Sequence, residues 1–255
     1  MSSLMHNQVH WHQDQLASFQ PKLNKITLKS GFELEYENLI VATGIQLNFD
    51  AIKGLAESLT GPIENGVCSN YDKNTVLRTW ENVQRLTELA KIEKTNKSTK
   101  KLQAIFTQPP MPIKCAGAPQ KIMYLAHEHW KKAGVLENIE ITFCTAMPGI
   151  FSQPDYAAAL RQVCVEKGIK NIEYGNNLLE IKNNGEAVFA NNVKKFDMIH
   201  VTPVQCAPDV CRESELSNET GFIDVNPKTL KSTKFDNVWA LGDCSSVPTE
   251  SVCIK

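Results

Sequence analysis

The chain has 255 residues with 27 Lys+Arg against 28 Asp+Glu, a net charge of −1, so no general electrostatic pull draws it to nucleic acid. Its 42% hydrophobic and 22% charged residues exclude a disordered or fibrous chain, and the length suits one large domain or two small ones with a buried core. No stretch approaches the ~20 apolar residues of a membrane-spanning helix, and the N-terminal MSSLMHNQVHWHQDQ is neither a secretory signal nor an Arg-rich transit peptide.

A strand signal opens at Lys25, where Ile26, Leu28, Phe32, Leu34 and Tyr36 mostly alternate around a Ser30-Gly31 turn. Leu39–Ala42 follows as a short run apolar on both faces, which predicts a buried parallel strand ending at Thr43-Gly44. Residues 51–70 read as loop. Residues 73–91 carry Val76, Leu77, Trp80, Val83, Leu86 and Leu89 at helical spacing. The lysine-rich KIEKTNKSTKK, Lys91 to Lys101, reads as a solvated loop.

Strands over Ala104–Thr107, Ile139–Cys144 and Ile169–Tyr174 alternate with helices over Pro119–Ala133 and Pro154–Lys167. That alternation predicts a parallel, doubly wound sheet. An antiparallel meander is expected next, at Asn177–Lys182, Ala187–Ala190 and Met198–Thr202. The last predicted strand is Val238–Leu241, ending at Gly242-Asp243.

The eight cysteines include no CxxC pair, so neither a disulfide framework nor a zinc site is expected. His127 and His129 are two apart on a helix and face different ways. His10 and His12 share a strand face but lack a third ligand, and His200 reads as a structural histidine. No metal site follows.

Two short apolar strands, LIVATG at 39–44 and NVWALGDC at 237–244, each deliver a glycine at the C-terminal end. Open α/β sheets bind ligands there, because the backbone can approach the ligand closely. Asp243 adds a carboxylate able to accept from a sugar hydroxyl. Between them, the connection after Thr107 reads QPPMPIKCAGAPQK, with one glycine and four prolines. It cannot form the GxGxxG phosphate cradle of NAD(P)H enzymes. Instead it places Cys115 just before a helix, beside Lys114 and with Lys121 one turn into that helix. A thiol so placed is expected to be more acidic and more nucleophilic than a free cysteine.

The two glycine motifs, in this order, resemble the second and third fingerprints of glutathione-reductase-like flavoproteins with two dinucleotide-binding domains. The stretch AIFTQPPMPIKCAGAPQKIM resembles the active-site segment of the mitochondrial-type sulfide:quinone oxidoreductases. LIVATGIQLNFDAIKGL, FDMIHVTPVQCAPDV and NVWALGDCSSVPT extend that resemblance across residues 9 to 249.

The resemblance implies an α/β fold of Rossmann-like, doubly wound FAD/NAD(P)-binding sheets, here incomplete. Residues 1–50 and 201–255 would belong to the FAD-binding domain, and 51–200 to a central domain carrying the redox cysteine. The implied function is FAD-dependent oxidation of hydrogen sulfide through a cysteine persulfide, with electrons passed to ubiquinone and the sulfur to glutathione or sulfite. Cys115 would carry the persulfide. Asp243, Lys121, Thr43, Gly44, Gly242 and Leu16 would contact FAD, Leu16 through its backbone near the adenine. The family implies mitochondrial location and peripheral membrane association.

Two departures accompany the resemblance. The chain has no Gly-x-Gly, so the family's ADP-binding βαβ unit is expected to be absent. The second redox cysteine and the membrane-binding helices are expected beyond Lys255. Cys244 belongs to the flavin motif, Cys253 lies in the divergent tail, and Cys68, Cys144, Cys164, Cys206 and Cys211 read as packing thiols. The alternatives are a non-catalytic truncated fragment of such an enzyme or an NAD(P)H-dependent disulfide reductase. The latter needs a GxGxxG after Thr107 and a close cysteine pair, and the sequence has neither.

Overall fold

The computed structural model describes residues 6–113 and 115–247. In chain order its elements begin with β1 (Leu16–Gln20), β2 (Lys25–Leu28), β3 (Glu33–Glu35), β4 (Leu39–Val41) and β5 (Gln46–Asn48). Next come α1 (Leu55–Thr60), β6 (Val67–Cys68), α2 (Val76–Thr95), β7 (Leu102–Gln108), α3 (Ala118–Lys132), β8 (Ile139–Thr145) and α4 (Pro154–Glu166). The remainder is β9 (Asn171–Glu173), β10 (Leu178–Lys182), β11 (Glu186–Phe189), β12 (Val193–Lys195), β13 (Met198–His200), β14 (Val204–Cys206), α5 (Asp209–Arg212) and β15 (Val238–Ala240). The chain divides into two compact units, one of Leu47–Gln205 and one of Met1–Gln46 with Cys206–Lys255.

The unit Leu47–Gln205 is built on a five-stranded sheet in the order β6-β13-β7-β8-β9, with every neighbouring pair parallel. Successive side chains of a strand point to opposite faces, and both faces here are covered. Ala104, Phe106 and Phe143 enter one core with Val83, Leu86, Met123 and Trp130 of α2 and α3. Ile105, Cys144 and Ile199 enter the other with Leu55 of α1 and with Leu178, Ile181 and Phe189. Those last three belong to the antiparallel sheet β10-β11-β12. Along α3 the buried residues Pro119, Met123, Ala126 and Trp130 recur every three or four positions. The Trp130 indole N–H donates to the Val83 carbonyl at 3.2 Å, tying α3 to α2.

Four expectations for this unit are corrected. The stretch 51–70 is not loop: it holds α1, a 3-10 turn at Ile63–Asn65 and β6. The lysine-rich segment is partly helical, since α2 runs on to Thr95. Val76, Leu77 and Trp80 do not bury the start of α2. They remain 42%, 72% and 49% exposed, and Val76 and Trp80 line an apolar cavity of about 400 Å³ with Ile122, Leu125 and Ala126 of α3. Finally, Met198–His200 is not the third meander strand. It is parallel, between β6 and β7, and the meander's third strand is the lysine-bearing β12.

In the other unit β1, β2 and β3 form an antiparallel sheet, its second hairpin turning at Gly31. Strands β4 and β15 pair in parallel, Leu39 opposite Val238 and Val41 opposite Ala240. Val41, Val238 and Ala240 pack with Cys211, Leu216, Ile223, Val225 and Cys244. The expected burial of LIVA on both faces is corrected at Ile40, which is 64% exposed. Alternation sends Ile40 to the face opposite Val41, and that face has no covering layer among the described residues. No described helix is long and apolar enough to cross a membrane.

Candidate functional site

In the unit that holds β4 and β15, the parallel pairing brings the two glycine motifs to one strand edge. The Leu241 N–H donates to the Val41 carbonyl at 2.9 Å, so both strands end level and both turns leave from there. Gly44 and Gly242 have φ of +72° and +69°, and a Cβ at either would meet nothing within 4 Å. Such angles strain any residue with a side chain. The open space beside each leaves backbone accessible to a ligand.

Thr43 is exposed, with its hydroxyl 3.1 Å from the buried Cys211 sulfur. Asp243 is half-buried on the 3-10 turn Gly242–Cys244. The structure thus brings Thr43, Gly44, Gly242 and Asp243 together. Leu16 stands elsewhere in this unit, half-buried in β1 opposite Leu28.

Cys244 is fully buried. Its thiol donates to the carbonyls of Val41 at 3.4 Å and Leu241 at 3.3 Å, holding the turn against β4. Cys211 is also buried, and burial pushes its thiol up to about 11. Cys206 is half-buried, with its thiol 3.6 Å from the Gln46 carbonyl. Cys253 lies outside the described residues.

In the unit Leu47–Gln205, Cys115 lies on the connection from β7 to α3. It is half-buried, and its carbonyl accepts from the Ala118 N–H at 3.1 Å as the helix begins. No acidic residue occupies the first turn of α3, so the positive end of the helix dipole is not offset there. Lys121 is exposed, and its backbone N–H donates to the Gly117 carbonyl at 3.1 Å. Lys114 lies outside the described residues. The remaining thiols of this unit, Cys68, Cys144 and Cys164, are buried. Burial pushes Cys68 and Cys144 up to about 12, and Cys164 upward, so each holds its proton at neutral pH.

A polar group at the C-terminal edge of this sheet escaped sequence reasoning, which read only its His200, as a structural histidine. His200, at the end of β13, is fully buried, and burial drives it down to about 3, so it stays neutral. Its Nε2 lies 3.0 Å from the Asn70 side-chain oxygen, while Nδ1 has no partner. The Tyr71 ring packs against it at 6.4 Å between centroids. Burial pushes the Tyr71 phenol up to about 12, with the Thr202 hydroxyl acting against the rise and the Cys115 sulfur adding to it. The only hint in the sequence is position: Ser69-Asn70-Tyr71 directly follows a parallel strand, where ligands are met.

His127 is held by the Lys167 carbonyl at 2.8 Å, and His129 packs edge-on to Trp80 with centroids 4.8 Å apart. Among the described residues no three His, Cys, Asp or Glu side chains gather as a metal site would require.

No family model matches the chain. The mitochondrial sulfide:quinone oxidoreductase of Mus musculus is 38% identical, across 97% of this chain and 53% of its own length. That of Dictyostelium discoideum is 37% identical, across 94% and 51%. The solved sulfide:quinone oxidoreductase of the hyperthermophile Aquifex aeolicus superposes with a TM-score of 0.73 at 18% identity, covering 92% of this chain and 52% of that one. The chain spans about half the length of the curated relatives it matches. Its fold is the α/β fold of the FAD/NAD(P)-binding disulfide oxidoreductases, as the sequence implies.

Proposed function

We propose that this chain is the sulfide-oxidising portion of a mitochondrial sulfide:quinone oxidoreductase, with Cys115 as the residue that carries the persulfide. The observation that carries the reading is the identity to the mouse enzyme, 38% across 97% of the chain. The position of Cys115 supports it. Of the seven described cysteines only Cys115 and Cys206 are open to solvent, and only Cys115 stands at the entrance of a long helix.

The cofactor in this reading is FAD, which supplies a two-electron acceptor. The strand-edge glycines fit such a group, since Gly44 and Gly242 expose backbone in open space. Thr43 and Asp243 would offer hydrogen bonds from the same edge, and Leu16 and Lys121 would be further contacts of the cofactor. Cys115 would act as follows. Hydrosulfide attacks the Cys115 sulfur of a disulfide, the S–S bond to Cys115 forms, and the partner cysteine leaves as thiolate. Glutathione or sulfite then attacks the outer sulfur and returns Cys115 as thiolate. Re-forming the disulfide from the two thiolates releases two electrons, which FAD would accept and pass to ubiquinone. Location in the mitochondrion, with peripheral attachment to the inner membrane, belongs to the same proposal.

The test is the visible absorption spectrum of the 255-residue chain before and after addition of FAD and then sulfide. The expected result is a flavin band that co-purifies or builds on FAD addition, bleaches with sulfide, and no longer bleaches in Cys115→Ser. A Cys115→Ser variant that bleaches like the wild type overturns the role of Cys115. The second reading is a non-catalytic portion of such an enzyme. A chain that takes up no FAD would support that reading instead.

A further inference from the structure

Buried polar atoms without partners are costly, at about 1–3 kcal/mol each, and native interiors rarely leave them clustered. Here such atoms gather at the C-terminal edge of β6, β13 and β7: Tyr71 Oη, Gln108 Oε1, His200 Nδ1 and Thr202 Oγ1 all lack a hydrogen-bond partner. Three of these residues are almost wholly enclosed, with Gln108 3%, His200 0% and Thr202 1% exposed. The scaffold around them is otherwise satisfied. The Thr202 N–H donates to the Thr107 hydroxyl at 3.2 Å, and that hydroxyl donates to the His200 carbonyl at 3.4 Å. What is left over is a set of side-chain groups that complete no hydrogen bond, with the Thr202 hydroxyl close enough to the Tyr71 phenol to act on it.

Cys115 lies on the connection that leaves this same sheet edge, seven residues after Gln108 at the end of β7, and its sulfur acts against ionisation of the Tyr71 phenol. The phenol therefore keeps its proton and is a donor. It makes no hydrogen bond to the Cys115 sulfur. A sulfur atom added to Cys115 stands about 2 Å further out, and it is acceptor-rich and anionic where the Tyr71 and Thr202 hydroxyls offer donors.

We propose that Tyr71 and Thr202 form a sulfur-binding pocket beside Cys115, in which the Tyr71 hydroxyl donates a hydrogen bond to the outer sulfur of a Cys115 persulfide. This deepens the function proposed above and rests on Cys115 being the persulfide carrier. Tyr71 is then a substrate-contacting residue, and the ligand class is hydrosulfide-derived sulfur rather than a larger thiol.

The test needs neither flavin nor turnover. Inorganic disulfide, HSS⁻, is equilibrated anaerobically with the full chain at a fixed ratio to sulfide. The Cys115 thiolate attacks a sulfur of HSS⁻, the Cys115–sulfur bond forms, and the S–S bond of HSS⁻ breaks. Hydrosulfide leaves with the electron pair, so one thiolate becomes a persulfide anion and no outside oxidant is consumed. Trapping with an alkylating reagent and peptide mass spectrometry then give the persulfide-to-thiol ratio at Cys115, with half-exposed Cys206 as internal reference.

A hydrogen bond to a charged acceptor corresponds to roughly a tenfold change in such a ratio. Tyr71→Phe is expected to lower the Cys115 ratio about tenfold while leaving Cys206 unchanged. Thr202→Val shifts it in the same direction, and carries the test should Tyr71→Phe fail to fold. A folded Tyr71→Phe whose Cys115 ratio matches the wild type overturns the pocket. A wild-type chain whose Cys115 takes up no sulfur overturns the assignment of Cys115 itself, and the pocket with it.

Discussion

His200 packs against Phe106 and Tyr71, with ring centroids 6.0 and 6.4 Å away, and has no exposed surface. Burial disfavours the imidazolium, so the folded pKa is about 3 against an ordinary 6.5. The sign of the resulting pH dependence follows from that direction. Above 6.5 neither the folded nor the unfolded imidazole is protonated, and the contribution is flat. As pH falls below 6.5 the unfolded chain binds a proton that the folded chain refuses, so stability is lost progressively down to about 3. The slope is about 1.4 kcal/mol per pH unit, or roughly 2 kcal/mol between pH 6.5 and about pH 5. His200→Gln removes the titration. Urea midpoints measured near pH 7 and near pH 5 should therefore differ less in this variant than in the wild type, whatever its absolute stability. Equal pH sensitivity in the two proteins would mean that His200 is solvated or protonated in the folded state.

At the scale of elements, the segment between β5 and α2 shows how a stretch with the composition of a loop becomes ordered structure. Gly54, Gly61, Pro62, Asn65 and Gly66 punctuate it, and one side chain of the following helix ties its parts together. The Arg78 guanidinium donates to the carbonyls of Val67 at 2.8 Å, Gly61 at 2.8 Å and Pro62 at 2.7 Å, and to the Asn65 side-chain oxygen at 2.9 Å. These acceptors converge from the end of α1, the 3-10 turn and the start of β6. A planar fork with five donors can serve them together, whereas a lysine ammonium is a point charge with three donors on a flexible stem. Arg78→Lys should thus lose most of these bonds and cost about 2–3 kcal/mol, read as a lower urea midpoint with helical circular dichroism intact at zero denaturant. An Arg78→Lys chain as stable as the wild type would show that the carbonyls are equally well served by water.

At the scale of the whole molecule, the sequence was most legible where a pattern is local. The alternating strands and helices from β7 to β9 follow from periodicity alone, and the two glycine-ended strands from composition and position. Pairing between distant segments was not legible. Met198-Ile199-His200 reads like any short apolar strand, and only the parallel register of Met198 with Ala104 shows that it enters the central sheet. Lysines hid β12, because an edge strand with one solvated face tolerates them. The Tyr71 and Thr202 juxtaposition was invisible for the same reason, since those residues meet only through that sheet.

The division of the chain has a consequence of its own for folding. The unit Leu47–Gln205 is continuous in sequence, and its sheet has both faces covered by helices and strands from within the same segment. The other unit is discontinuous, and its parallel pair of strands leaves Ile40 64% exposed. A segment that buries both sheet faces itself carries its own cores and needs no other part of the chain to complete them. The fragment 47–205 should accordingly fold alone. It holds two tryptophans, Trp80 and Trp130, so Trp80→Phe makes the fully buried Trp130 the sole reporter. In this variant fragment, Trp130 emission should be blue-shifted without denaturant and move to longer wavelength in one cooperative urea transition. Emission of the denatured chain in the absence of urea would show that the central sheet depends on residues 6–46 or 206–247 to form.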